Sequence, residues 1–262
     1  MSVEVKQLGV SIAGKQIVRG VDLHIGDGER VGLIGSSGSG KSMISKAMLG
    51  LLPTNAQSSG SVMLGDTQVI GANETVLASL RGRYVGAMFQ NPASSLNPVL
   101  TVGKQIELPL KLHYDLDKAD RQKRVLTMLE KVGLDEATAK KYPSELSGGQ
   151  QQRVGIATAL ITSPRLIIAD EPTTALDSIT QRQIVDLLVS LVDKAGASML
   201  FITHDFSVLA RATTRCYVLD DGRIIESGDT ADLLDNPQNE QTKKLVGAAR
   251  ELTLQRKQDG DD

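Results

Sequence analysis

The sequence predicts an α/β protein with a mostly parallel sheet, an antiparallel β subdomain ahead of it and an inserted α-helical subdomain. Three observations carry this. A compact apolar strand at 30–34 runs into a Gly/Ser-rich stretch at 35–40 and then a helical segment. After Pro164 the pattern alternates strand and helix, which implies parallel strands joined by crossovers. Between these parts Val125, Met128, Leu129 and Val132 recur at i, i+3, i+4 and i+7, the spacing of one helix face.

Taken in order, Val3, Val5, Val21, Leu23 and Ile25 alternate with polar residues, and Gly14 and Gly26 mark turns, so the first thirty residues read as short antiparallel strands. The helix after the Gly/Ser stretch is expected over 41–52, stopped by Pro53. Val62, Leu64, Val69 and Ile70 bracket the turn pair Gly65 and Asp66 as a hairpin. A strand is expected at 84–89, and helical composition from 91 to 159. Strands at 166–169, 198–203 and 215–219 then alternate with helices at 178–194 and 206–212. The expected domains are 1–90 with 160–246 as the core, 91–159 as the helical insert, and 247–262 as a tail without apolar periodicity that frays.

Bulk properties narrow the function. At 262 residues the chain suits one large domain with a small insert. A net charge of -2 provides no broad basic field, which disfavours nucleic acid as a partner. Apolar runs fall far short of the roughly 20 residues that cross a bilayer, and the first residues do not resemble a secretory leader. The single cysteine, Cys216, excludes an internal disulfide and reads as a small core filler.

The stretch GSSGSGKS comprises Gly35, Ser36, Ser37, Gly38, Ser39, Gly40, Lys41 and Ser42. It matches the phosphate-loop spacing and lies between strand and helix, as that loop requires. Small residues let the backbone wrap a triphosphate so that N–H groups and a helix N-terminus face its charge. Lys41 would meet the β- and γ-phosphates of ATP, and the Ser42 hydroxyl would be a ligand of Mg²⁺. The core is therefore expected to be a P-loop NTPase of the RecA-like kind. The strand LIIADE ends in Asp170, a candidate Mg²⁺ ligand, and Glu171, a candidate base for the attacking water. Alone, two acids at a strand end also suit a surface turn; beside the phosphate loop they read as a site.

LSGGQQQR at 146–153 resembles the signature motif of ATP-binding cassette proteins. As bare chemistry, Ser147, Gly148 and Gly149 cap a helix expected to begin near Gln150, leaving N–H donors for an anion. Gln90 in FQNP resembles the family's Q-loop, Ala175, Leu176 and Asp177 its D-loop, and His204 in ITHD its switch histidine. His24 and His113 match no motif. The resemblance spans nearly the whole chain and implies an ATP hydrolase working as a homodimer or as a heterodimer with a second such ATPase. In it Ser147, Gly148, Gly149 and Gln150 meet the γ-phosphate held by the partner, and Gln90 senses Mg²⁺ and the attacking water. The resemblance also implies integral membrane permease subunits and an extracytoplasmic solute-binding protein as partners, with this chain peripheral on the cytoplasmic face of the membrane.

Within the family, FQNPASSLNP, DEPTTALD and ITHDFSVLA resemble the ATPases of bacterial importers for dipeptides, oligopeptides and nickel or metal chelates. NPQNEQTKKL resembles that subgroup's C-terminal motif, with Gln241 where an aromatic is usual, and a longer cysteine-bearing tail is absent, which points towards the shorter nickel and metallophore type. The alternatives are an exporter ATPase, or a non-transport member acting on nucleic acid or ribosomes. One departure concerns the base. The family's N-terminal aromatic is replaced by Ile12, and no aromatic precedes Tyr84, so weak base discrimination is expected.

Overall fold

The computed structural model describes residues 3–90, 95–174 and 176–258. Ten strands and nine α-helices are described, in two compact units: residues 1–71 with 200–262, and 72–199.

In the first unit β1 (Val3–Ile12), β2 (Lys15–Ile25), β4 (Ala56–Leu64) and β5 (Thr67–Gln68) make an antiparallel sheet in the order β2-β1-β4-β5. Alternation places Val18, Val21, Leu23 and Ile25 of β2 in the core while their neighbours face out. The β1–β2 turn is Ala13–Gly14, both at positive φ, which matches the twist of a tight hairpin.

The same unit contains β3 (Arg30–Gly35), β8 (Ser198–Thr203, entering this unit at Leu200), β9 (Arg215–Asp220) and β10 (Arg223–Asp229), in the order β10-β9-β3-β8. β3 pairs with β9 in parallel, and β9 with β10 antiparallel. Ile34, Phe206, Leu209, Cys216, Val218, Leu233 and Val246 form one core cluster. Burial pushes the Cys216 thiol up to about 11, as suits a core filler. Arg215 grips Glu29 with two hydrogen bonds, 2.7 and 3.0 Å, tying the start of β3 to β9.

In the second unit β6 (Val85–Met88) and β7 (Leu166–Asp170) pair in parallel, and every residue of β7 is buried. α3 (Val102–His113), α4 (Lys118–Lys131) and α5 (Gly148–Leu160) pack on one another, and Val125, Met128 and Leu129 face inward as their spacing predicts. α6 (Ser178–Ala195) ends at Gly196 in the left-handed conformation.

Several boundaries differ from expectation. α1 (Lys41–Met48) stops before 52, because Gly50 takes a φ of 63° just beyond it. α2 (Glu74–Leu80), β10 and α8 (Thr230–Asp235) were not expected. The segment expected to fray from 247 continues as helix α9 (Glu240–Gln258), whose Leu245, Val246 and Ala249 pack on the core cluster; residues 259–262 of that segment lie outside the described residues. Gln241, at the position usually aromatic, is exposed while Thr242 is buried.

Candidate functional site

The phosphate loop leaves β3 and enters α1 within the first unit. Its shape follows from residues that tolerate what others do not. Gly40, at φ 109°, is the N-cap of α1 and offers no side-chain cap. A Cβ on Gly35 would collide with the Leu219 carbonyl oxygen, so only glycine lets β9 approach this closely. The Ser39 carbonyl accepts from Gly222 N–H at 3.0 Å, and Arg19 N–H donates to Gly222 at 2.8 Å, so β2 and the β9–β10 turn brace the loop.

Lys41 is only 6% exposed, and its ammonium donates to the carbonyls of Gly35 and Ser36 at 2.9 Å each. The loop is thus curled round its own cation. Ser39 Oγ is buried without a hydrogen-bond partner among the described residues, and the α1 N-terminus has no acidic residue in its first turn. An orphaned donor, an uncapped helix start and a buried ammonium fit a phosphate chain. His204 follows β8 and is exposed. In the next turn Asp205 N–H donates to Thr203 Oγ1 at 3.0 Å, and the Asp205 carboxylate caps α7 (Phe206–Ala212).

In the second unit β7 delivers Asp170, 4% exposed, and then Glu171. Glu171 has φ 48°, a strained backbone for a side chain of this kind, worth roughly 1–3 kcal/mol. Its Oε2 accepts from Gln90 Nε2 at 3.1 Å and from Thr174 Oγ1 at 3.0 Å. Gln90 and Glu171 are 81 residues apart, and both were expected at the site. Thr174 was not; a hydroxyl three residues after a candidate base, within the same turn, was the signal available. Beyond it Asp177 caps α6, and the Thr180 hydroxyl and N–H hold the Asp177 carboxyl below its ordinary value. Leu176 is described, whereas Ala175 lies outside the described residues. So do residues 91–94 of the FQNPASSLNP stretch.

The signature loop opens α5 at Gly148, two residues earlier than expected, because Ser147 takes the extended N-cap conformation. Gln150 N–H donates to Ser147 Oγ at 3.3 Å, and Ser147 N–H donates to Gln150 Oε1 at 3.0 Å, a reciprocal capping box. Ser147 and Gly148 are exposed. Gly149 lies so near Thr180 that a Cβ there would stand 3.0 Å from its methyl group. Among the described residues no group of three or more His, Cys, Asp or Glu could hold a metal. A hydroxyl, an amide and a carboxylate are oxygen donors of the hard kind that Mg²⁺ takes beside phosphates and water.

Comparison with known proteins adds three findings. The family description "ABC transporter" matches residues 18–174. The oligopeptide transport ATP-binding protein OppD of Lactococcus lactis subsp. cremoris is 39% identical over 93% of this chain and 74% of its own length, and AppD of Bacillus subtilis, of the same description, is 42% identical over 87% and 71%. Among solved structures, the dimeric ATP-binding cassette MJ0796 bound to ADP and Pi superposes with a TM-score of 0.78 at 34% identity, over 87% of this chain and 98% of that one. The structure of cbiO1 of Clostridium perfringens, part of the ABC transporter complex cbiONQ, superposes with a TM-score of 0.78 at 28% identity, over 89% and 90%.

Proposed function

The chain belongs to the ABC transporter family as an ATP hydrolase, and from that premise we propose that its hydrolysis drives peptide import into a bacterial cell. The observation that carries the hydrolytic reading is the Glu171 carboxylate, held at the end of β7 by Gln90 from a distant segment. Relatives named for oligopeptide transport support peptides as cargo over nickel or metal chelates.

The proposed roles join this geometry to the family's motifs. Gly35, Ser36, Ser37, Gly38, Ser39 and Gly40 present backbone N–H groups to the phosphates of ATP. The Lys41 ammonium exchanges its two loop carbonyls for phosphate oxygens, a change that binding itself makes favourable. Mg²⁺, held by Ser42, Gln90 and Asp170, would supply charge neutralisation at the β- and γ-phosphates. Glu171 orients the attacking water and takes its proton. As the water oxygen bonds to the γ-phosphorus, the bond to the bridging oxygen breaks and ADP leaves with that electron pair. His204 donates to the γ-phosphate. Ser147, Gly148, Gly149 and Gln150 close over the γ-phosphate held by a partner cassette, so the working unit is a dimer, either of this chain or with a second ATPase. In this reading 1–90 with 160–246 binds ATP, 91–159 presents the signature loop, and the tail from 247 has no catalytic part.

Permease subunits and a solute-binding protein complete the proposed complex, with this chain on the cytoplasmic face of the membrane. No helix among the described residues is long and apolar enough to cross it. The test is Glu171→Gln at the native locus. The variant should trap an ATP-bound dimer, lower turnover by about a hundredfold or more, and abolish uptake of radiolabelled oligopeptides while sparing radiolabelled nickel. Loss of nickel uptake with peptide uptake intact would reverse the cargo assignment.

A further inference from the structure

Thr174 stands outside every role assigned above, yet its hydroxyl reaches the atom on which hydrolysis turns. We propose that Thr174 is a positioning residue for ATP hydrolysis, one that aims the Glu171 carboxylate independently of Gln90. The proposal rests on Glu171 being the base.

Two donors converge on one carboxylate oxygen, but they are held in different ways. Gln90 is an exposed residue following β6, and it reaches Glu171 across 81 positions of sequence. Thr174 is bound to Glu171 twice. Its N–H donates to the Glu171 carbonyl at 3.3 Å, closing a four-residue turn, and its Oγ1 donates to Glu171 Oε2 at 3.0 Å. The φ of 48° at Glu171 starts that turn.

The far side of the turn is anchored too. Leu176 N–H donates to the Thr173 carbonyl at 3.3 Å, Gln181 Nε2 donates to Thr173 Oγ1 at 3.2 Å, and Asp177 caps α6. Thr174 therefore takes its position from α6 and from Glu171 itself. A glutamate has three side-chain torsions, and a base that wanders by an ångström can lose two orders of magnitude in rate. A donor carried by the same turn limits that wandering whether or not Gln90 is in place. Threonine suits the task because its β-branch restricts χ1, so the hydroxyl keeps its direction.

The test compares Thr174→Val, Thr174→Ser and Glu171→Gln in the full chain, following ATP hydrolysis and nucleotide binding. Thr174→Val keeps the shape and removes the donor. Its kcat should fall about tenfold, with KM for ATP within about twofold of the parent. Thr174→Ser should restore most of the rate, and Thr174→Ala should behave as Val if Val packs poorly. A parental rate in Val and Ala overturns the proposal, as does an equal loss in Ser and Val, which would make the role purely structural. If Glu171→Gln keeps parental turnover, the base assignment fails and this inference with it. If Glu171→Gln is inactive while Thr174→Val is normal, only the inference fails.

Discussion

The chain presents two glycine-rich helix starts, and they are built in opposite ways. At the phosphate loop α1 begins on Gly40, with no side-chain cap, and beside it the buried Lys41 ammonium is held by carbonyls of the loop. At the signature loop α5 begins on an exposed Ser147, whose side chain and that of Gln150 satisfy each other's backbone N–H groups. Neither helix has an acidic residue in its first turn, so both leave a positive end uncompensated. In the proposed function the first keeps its donors for a ligand bound within the chain, and the second, which supplies its own acceptor, meets an anion that arrives only with a partner. The Ser147 bond, at 3.3 Å, is long and readily exchanged for a phosphate oxygen.

Substitutions can break this contrast. The largest effect is expected for Lys41→Ala, which removes the ammonium proposed to meet the phosphates and should weaken ATP binding or use by about a hundredfold or more. Unchanged hydrolysis would remove Lys41 from the site. At the second loop Ser147→Ala should lower stability by about 1 kcal/mol through the lost cap, read from urea unfolding, and slow hydrolysis. Ser147→Gly keeps helix stability to within a few tenths of a kcal/mol. It should still slow hydrolysis, and a normal rate in Gly would reduce Ser147 to a cap.

Smaller effects concern the supports of the first loop. Ile12 ends β1 half-buried, where a flat aromatic would stack on a base, so dissociation constants for ATP and GTP should lie within about tenfold. A hundredfold preference for ATP would show that the base is read by another route. Near β3, Arg215 holds the Glu29 carboxyl below the usual range. A depressed acid stabilises the fold above its unfolded pKa and loses that contribution as pH falls through its folded value. Glu29→Gln should therefore cost up to about 1 kcal/mol at neutral pH, since the pair is partly exposed, and nothing in strong acid. A gap between parent and variant that persists in acid would assign the effect to packing.

Legibility in the sequence followed how local each requirement is. The phosphate loop could be read because its glycines and Lys41 act within eight consecutive positions. β7 was legible from an unbroken apolar run, and α6 from the alternation of strand and helix to which it belongs. The start of α5 was placed late, because two glycines of poor helix propensity follow the true N-cap, Ser147. α9 was not expected as a helix, since only Leu245, Val246 and Ala249 mark its inward face and the core they meet is assembled from distant strands.

The sequence alone determined the α/β class, the phosphate loop and the residue types available for phosphate chemistry, because sterics and periodicity act between near neighbours. The tertiary structure decided which partners those residues take. Gln90 and Thr174 both choose Oε2 of Glu171, and Gly222 rather than another donor braces Ser39. A hydrogen bond needs its donor within about 3 Å of its acceptor and aligned with it. Across 81 residues only the folded path of the chain can arrange that.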